Sequence, residues 1–320
     1  MQARSSTPTQ GNRSVRDAAG RVALLLVLLL VSTYGFFMLI GLATGMISAL
    51  LGRTPDVQDG LLLFALSMLP VILADCLAIL LARPLLGVGV VGLFAWGNSR
   101  LSVTALGAAA CLGAGFVGGL MINPLLQFIN FFRSSIPGGE LALPTVAEPA
   151  ALVVTALYIC ILAPVLEEIL FRGLILRALR PYGCPFAVIF SCLLFSLFHM
   201  NLVQLAPPFL IGLVLCMVTL LSDSLWPAIC CHMANNVIAL LLDVFGDLPA
   251  LYIPYMVGGL LALGFFLLLH APRLGPWFRP TPLGLPTTGQ RLQMAMAAPA
   301  TIATFVLYAL TIVISFLFSV

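Results

Sequence analysis

Of the 320 residues, 62% are apolar and 8% are charged, whereas a soluble domain carries about 45–50% and about 25%. That balance excludes a soluble globular enzyme, a disordered chain and a nucleic-acid binder. The 14 strongly basic residues are all arginines and there is no lysine, so the net charge of +3 reads as a topology signal.

In chain order, residues 1–21 are rich in Ser, Thr, Gln, Gly and Arg and are expected to form a disordered cytoplasmic N-terminus. Crossing a bilayer takes about 20 apolar helical residues. Nine runs approach that length, at about 22–51, 60–82, 102–129, 150–179, 184–200, 205–221, 226–244, 251–270 and 297–320. The first is read as an uncleaved span, and the fifth and sixth are short, meeting near Pro207 and Pro208. The predicted fold class is all-α, a polytopic transmembrane helical bundle of about eight to nine spans. It divides into N-terminal transmembrane helices over 22–149, a core over 150–245, and C-terminal helices over 246–320 that include a Pro-rich linker, 271–296. Residues 133–149 read as a Pro/Gly loop, and Trp277 and Phe278 of the linker suit the lipid interface. Gly41/Gly45 and Gly115/Gly119 are small-xxx-small pairs suited to close helix approach. The eight cysteines fall mostly inside apolar runs and read as small hydrophobes.

Twelve of the arginines fall on one side of a nine-span arrangement, from Arg4, Arg13, Arg16 and Arg21 through Arg83, Arg100, Arg172, Arg177 and Arg180 to Arg273, Arg279 and Arg291. Arg53 and Arg133 fall on the other. The expectation is an integral, multi-pass protein of a bacterial cytoplasmic membrane with its N-terminus inside. Gly87-Val88-Gly89-Val90-Val91-Gly92 fits the dinucleotide fingerprint, but lies between membrane spans rather than in a βαβ unit, so no nucleotide site is read there.

Ionisable groups inside a bilayer cost about 2.5–3.5 kcal/mol each to insert and mark function by default. They concentrate in the fourth run, Pro164-Val165-Leu166-Glu167-Glu168-Ile169-Leu170-Phe171-Arg172-Gly173. Glu168 and Arg172 are four apart with the acid first, the favourable order for a helix ion pair. Glu167 points about 100° away and has no partner on its own helix. Phe195 and His199 share a face of the fifth run, and His232 and Asn236 share a face of the seventh. With a turn at Pro181-Tyr182-Gly183, Glu167 lies 15 residues before Tyr182 and His199 lies 17 after it. At about 1.5 Å per residue the two would differ in depth by roughly 3 Å and face each other. Asp75 in the second run has no assigned role.

Glu167-Glu168-x-x-x-Arg172, Phe195-x-x-x-His199 and His232-x-x-x-Asn236, in this order, resemble the three motifs of the CPBP family. These are the CAAX-processing and bacteriocin-processing intramembrane proteases, also called Abi proteins. The resemblance covers roughly residues 150–245. It implies an intramembrane endopeptidase that cleaves peptide or membrane-protein substrates at the cytoplasmic side. By the same resemblance, Glu167 and His199 would activate a water, and His232 and Asn236 would donate to the oxyanion. Glu168, Arg172 and Phe195 would support them. No cofactor is favoured. The alternative is a divalent metal such as zinc on Glu167, His199 and His232. The partners expected are the lipid bilayer and a peptide or membrane-protein substrate, with no nucleic acid. Two other readings compete. A non-catalytic immunity or scaffold protein of the same fold would show degenerate motifs, which these are not. A proton-coupled transporter would show inverted repeats, and none is evident.

Overall fold

The computed structural model describes residues 8–52, 59–94, 100–133, 149–245, 249–275 and 285–318. Described residues form helices and connecting turns, with no strand among them. In chain order come α1 (Pro8–Leu50), α2 (Gly60–Ser67), α3 (Leu69–Leu86) and α4 (Leu101–Arg133). A helical run from Pro149 to Tyr182 follows. It is built of α5 (Pro149–Leu157), a π-helical stretch Tyr158–Leu162, α6 (Ala163–Glu168), a second π stretch Ile169–Ile175, α7 (Leu176–Leu179) and a 3-10 turn Arg180–Tyr182. Then come α8 (Cys184–Phe198), α9 (Ala206–Ser222), α10 (Trp226–Phe245), α11 (Pro249–Leu274), α12 (Thr288–Met296) and α13 (Pro299–Phe318). The all-α polytopic bundle is thus what the chain adopts.

Every predicted apolar run is helical, but not every one is long enough to cross alone. Among the described residues, five helical stretches are long and apolar enough, or six if α12 and α13, bent by 74°, count as one. At about 1.5 Å per residue, α8 and α9 are only about 22 and 26 Å long against a core of about 30 Å. They are instead wrapped by neighbours: ten residues of α8 and nine of α9 are buried.

Three local expectations shift. Residues 8–21, expected to be disordered, are the first turns of α1, with Val15, Ala18 and Ala19 buried, and α1 packs on α12. The Pro-rich linker is shorter than 271–296, because α11 runs to Leu274 and α12 begins at Thr288 with a Thr287–Gln290 capping box. The close glycine contacts are also elsewhere. A Cβ on Gly41, Gly45 or Gly119 would meet nothing within 4 Å, whereas on Gly113 it would overlap the Gly259 carbonyl and on Gly118 it would overlap Pro207. Helix α4 therefore meets α11 and α9 on a face that includes Gly113 and Gly118. Gly115, with Ile211 Cδ1 3.3 Å from where its Cβ would lie, borders that contact.

Gly87, at φ 72°, closes α3 in the left-handed conformation with its N–H donating to Arg83. Gly92, at φ 79°, turns the chain so that Leu93 and Phe94 carbonyls accept from Leu225 N and Trp226 Nε1. The glycines of the nucleotide-like string are thus turn residues. Trp277, Phe278, Asp247, Arg4, Arg53, Arg279 and most of loop 133–149 lie outside the described residues.

Candidate active site

The site is assembled where the 149–182 run meets α8, α9 and α10. Pro164 sets its local geometry. Ala163 N donates to the Tyr158 carbonyl, a five-residue spacing, so the next donor in that register would be residue 164. Proline has no N–H, and the Ile159 carbonyl would be left without its partner. Asn236 Nδ2 from α10 donates to that carbonyl at 2.9 Å, joining the two elements. The second π stretch spans Ile169–Ile175 and carries Arg172. Such π segments are rare and frequently lie at functional sites.

At the centre, Arg172 Nη1 donates to Glu168 Oε1 at 2.8 Å, and His232 Nδ1 donates to the same oxygen at 2.9 Å. Glu168 and Arg172 are 0% and 1% exposed. The i, i+4 pair expected from the sequence is therefore a fully buried triad with His232. The other nitrogen of His232, Nε2, lies 3.8 Å from Glu167 Oε2. One imidazole thus bridges the two consecutive glutamates.

Phe195 is the hub. Its ring lies under the Arg172 guanidinium, 4.2 Å from centroid to Cζ, and meets the rings of His199, His232 and Phe171 edge-on at 4.9, 5.9 and 5.0 Å. Spans that are far apart in sequence are brought together on one side chain. His199 ends α8, and its Nδ1 donates to the Phe195 carbonyl at 2.8 Å. That bond fixes the ring so that Nε2 carries the free lone pair.

Burial separates the residues into two groups. Glu168, Arg172, Phe195 and His232 are buried, while Glu167, His199 and Asn236 are half-buried and keep access from outside. The expected depth match of Glu167 with His199 is replaced by a different pairing, because Glu167 reaches His232 at ion-pair distance rather than His199. The depth argument assumed a uniform helical rise, and the π stretches on either side of Glu167 break that uniformity. As for a zinc set of Glu167, His199 and His232, no three His, Cys, Asp or Glu side chains gather in a metal-holding arrangement among the described residues.

Two glycines make room for the site, Gly173 of the motif string and Gly212, which the sequence did not single out. A Cβ on Gly212 of α9 would lie 3.1 Å from Arg172 Nη2, 3.3 Å from Cys192 Sγ and 3.3 Å from Phe195 Cδ1. On Gly173 it would lie 2.8 Å from Leu93 Cδ1, so the glycine after Arg172 admits the 92–94 turn. A single glycine within the apolar run of α9 was the available signal for Gly212.

Comparison with known proteins agrees with the motifs. Residues 149–238 match the family described as type II CAAX prenyl endopeptidase Rce1-like. No curated protein and no solved structure matches the chain. The matched segment begins with α5 and ends two residues past Asn236, so it contains each of the three motifs. Over that segment, under a third of the chain, the protein is similar to the Rce1-like type II CAAX prenyl endopeptidases, consistent with the CPBP resemblance of its motifs.

Proposed function

We propose that this protein is an intramembrane endopeptidase that hydrolyses a peptide bond with a water activated by Glu167 and His199. The observation that carries the reading is the His232 bridge, with Nδ1 on Glu168 and Nε2 3.8 Å from Glu167, beside a His199 whose Nε2 is free to accept. A water held between the Glu167 carboxylate and His199 Nε2 loses a proton to Glu167 as its oxygen attacks the carbonyl carbon of the scissile amide. The resulting oxyanion is met by donors. Asn236 donates with the amide hydrogen not used on Ile159, and His232, held by Glu168, is the second donor. Collapse of the tetrahedral species breaks the C–N bond, and Glu167 returns its proton to the leaving amine. No step needs a metal or other cofactor.

The arginine distribution supports a site that opens on the cytoplasmic side of a bacterial membrane, with the N-terminus inside. The substrate class proposed is a peptide or membrane-protein segment. The family description adds the prenylated CAAX terminus as the first chemistry to try. The test compares membrane peptidomes of cells carrying the wild-type chain and Glu167→Gln. Peptides present only in the wild type are expected, and their release should persist after exhaustive chelation. Identical peptidomes would reject proteolysis, and loss on chelation restored by zinc would reject the metal-free route.

A further inference from the structure

Asp75 sits midway along α3, within one of the long apolar spans, and is 2% exposed. Its Oδ1 has no hydrogen-bond partner among the described residues. A carboxyl group in that setting is expensive to insert and is a functional candidate by default. Helix α3 packs on α6, which carries Glu167, and on the π stretch that carries Arg172. Glu167 Oε2 is likewise buried without a hydrogen-bond partner.

Packing links the two acids, since α3, on which Asp75 is a buried residue, contacts α6 directly. Arg172 Nη1 and His232 Nδ1 both donate to Glu168. Asp75 Oδ1 and Glu167 Oε2 are thus two buried carboxyl oxygens without a hydrogen-bond partner among the described residues, carried on elements that pack together.

We infer that Asp75 is a positioning residue of the active site: its protonated carboxyl donates a hydrogen bond, directly or through one water, to Glu167 Oε2 and leaves Glu167 Oε1 to take the proton of the attacking water. The inference rests on Glu167 being the base. Asp75 begins and ends the cycle protonated, so the proton count of the hydrolysis is unchanged. The bond fixes the direction of a side chain that otherwise has only His232 at 3.8 Å to orient it.

The test uses the full chain in lipid vesicles, with a fluorogenic copy of a peptide whose release is lost in Glu167→Gln membranes. Asp75→Leu removes the donor and is expected to lower kcat about tenfold to a hundredfold, the scale seen when a group that orients a reacting residue is removed. KM and the thermal midpoint should stay near wild type, because leucine suits an apolar span. Asp75→Asn keeps a donor and should retain most of kcat. Wild-type kcat in Asp75→Leu overturns the inference. So does an Asp75→Asn enzyme as slow as Asp75→Leu, or a loss of kcat matched by a loss of folded protein. If Asp75→Leu does not fold, Asp75→Ala carries the same comparison. Full cleavage by Glu167→Gln would instead overturn the base assignment, whereas a dead Glu167→Gln beside a fully active Asp75→Leu removes the Asp75 role alone.

Discussion

Glu168 accepts from both Arg172 and His232 on a single oxygen, and each of the three is buried. Burying a charge is tolerable only when its partners stay in place. Arg172→Met fills a similar volume but leaves the Glu168 carboxylate with only an imidazole. The expected cost is about 3–5 kcal/mol, the range for stranding one member of a buried pair. Adding Glu168→Gln to Arg172→Met should recover much of that loss, because the uncompensated charge is gone. Thermal unfolding of the purified chains measures both. Activity should not return in the double variant, since His232 would lose the carboxylate that holds its Nδ1. Equal stability of the single and double variants would mean that the triad is not held by charge. At this scale the sequence was informative: a four-residue acid-to-arginine spacing encodes a pair on one helix face. Addition of His232 to that pair needed the packing of α10.

At the scale of elements, the decisive feature is the change of hydrogen-bond register around Glu167. Hydrophobic periodicity reports which face of a helix is buried, but Tyr158–Leu162 is apolar throughout, so nothing in its pattern announces a π stretch. Pro164 removes a helix donor by its chemistry alone, yet the acceptor it strands, Ile159, follows only from the five-residue spacing. The same reasoning explains the glycines. The spacing of Gly41 and Gly45 permits close approach but does not say whether another helix is there, and Gly113 with Gly259 carries the contact instead. If Asn236 satisfies the Ile159 carbonyl, Asn236→Leu should destabilise the chain by about 1–3 kcal/mol, the penalty for a buried acceptor left bare. Pro164→Ala supplies an N–H on the same helix. In that background the cost of Asn236→Leu should fall by about 0.5 kcal/mol or more, a coupling that a double-mutant cycle resolves. Additive costs would show that the Asn236 amide does not serve the acceptor left by Pro164. Cleavage should remain low in both asparagine variants, because the second amide hydrogen is also gone.

For the whole molecule, the motifs lie within the matched segment 149–238, but the bundle that holds them is closed by α1 and α13. Helix α13 packs along α1, with Thr304 Oγ1 donating to the Ala23 carbonyl at 2.9 Å and Tyr308 OH donating to the Leu26 carbonyl at 3.1 Å. Helix α12 packs on α1 and α8, and Arg291 covers Gly183 at the turn that starts α8. Helix α1 in turn packs on α3, which carries Asp75 and borders α6. In lipid the hydrocarbon tails compete with apolar packing, and an interhelical hydrogen bond averages only about 0.6 kcal/mol. Tyr308→Phe should therefore shift the thermal midpoint very little. A chain ending at residue 284 removes the whole of α12 and α13, together with the cover over Gly183 and the packing around Tyr308. It should lower the thermal midpoint well beyond the sum of the two hydrogen bonds and reduce cleavage, although each catalytic candidate is still present. Co-expression of residues 285–320 as a separate fragment should restore part of both, because α12 and α13 themselves carry the contacts with α1 and α8. Wild-type cleavage by the truncated chain would show that the matched segment and its immediate neighbours suffice, and that the terminal helices act only as membrane anchors.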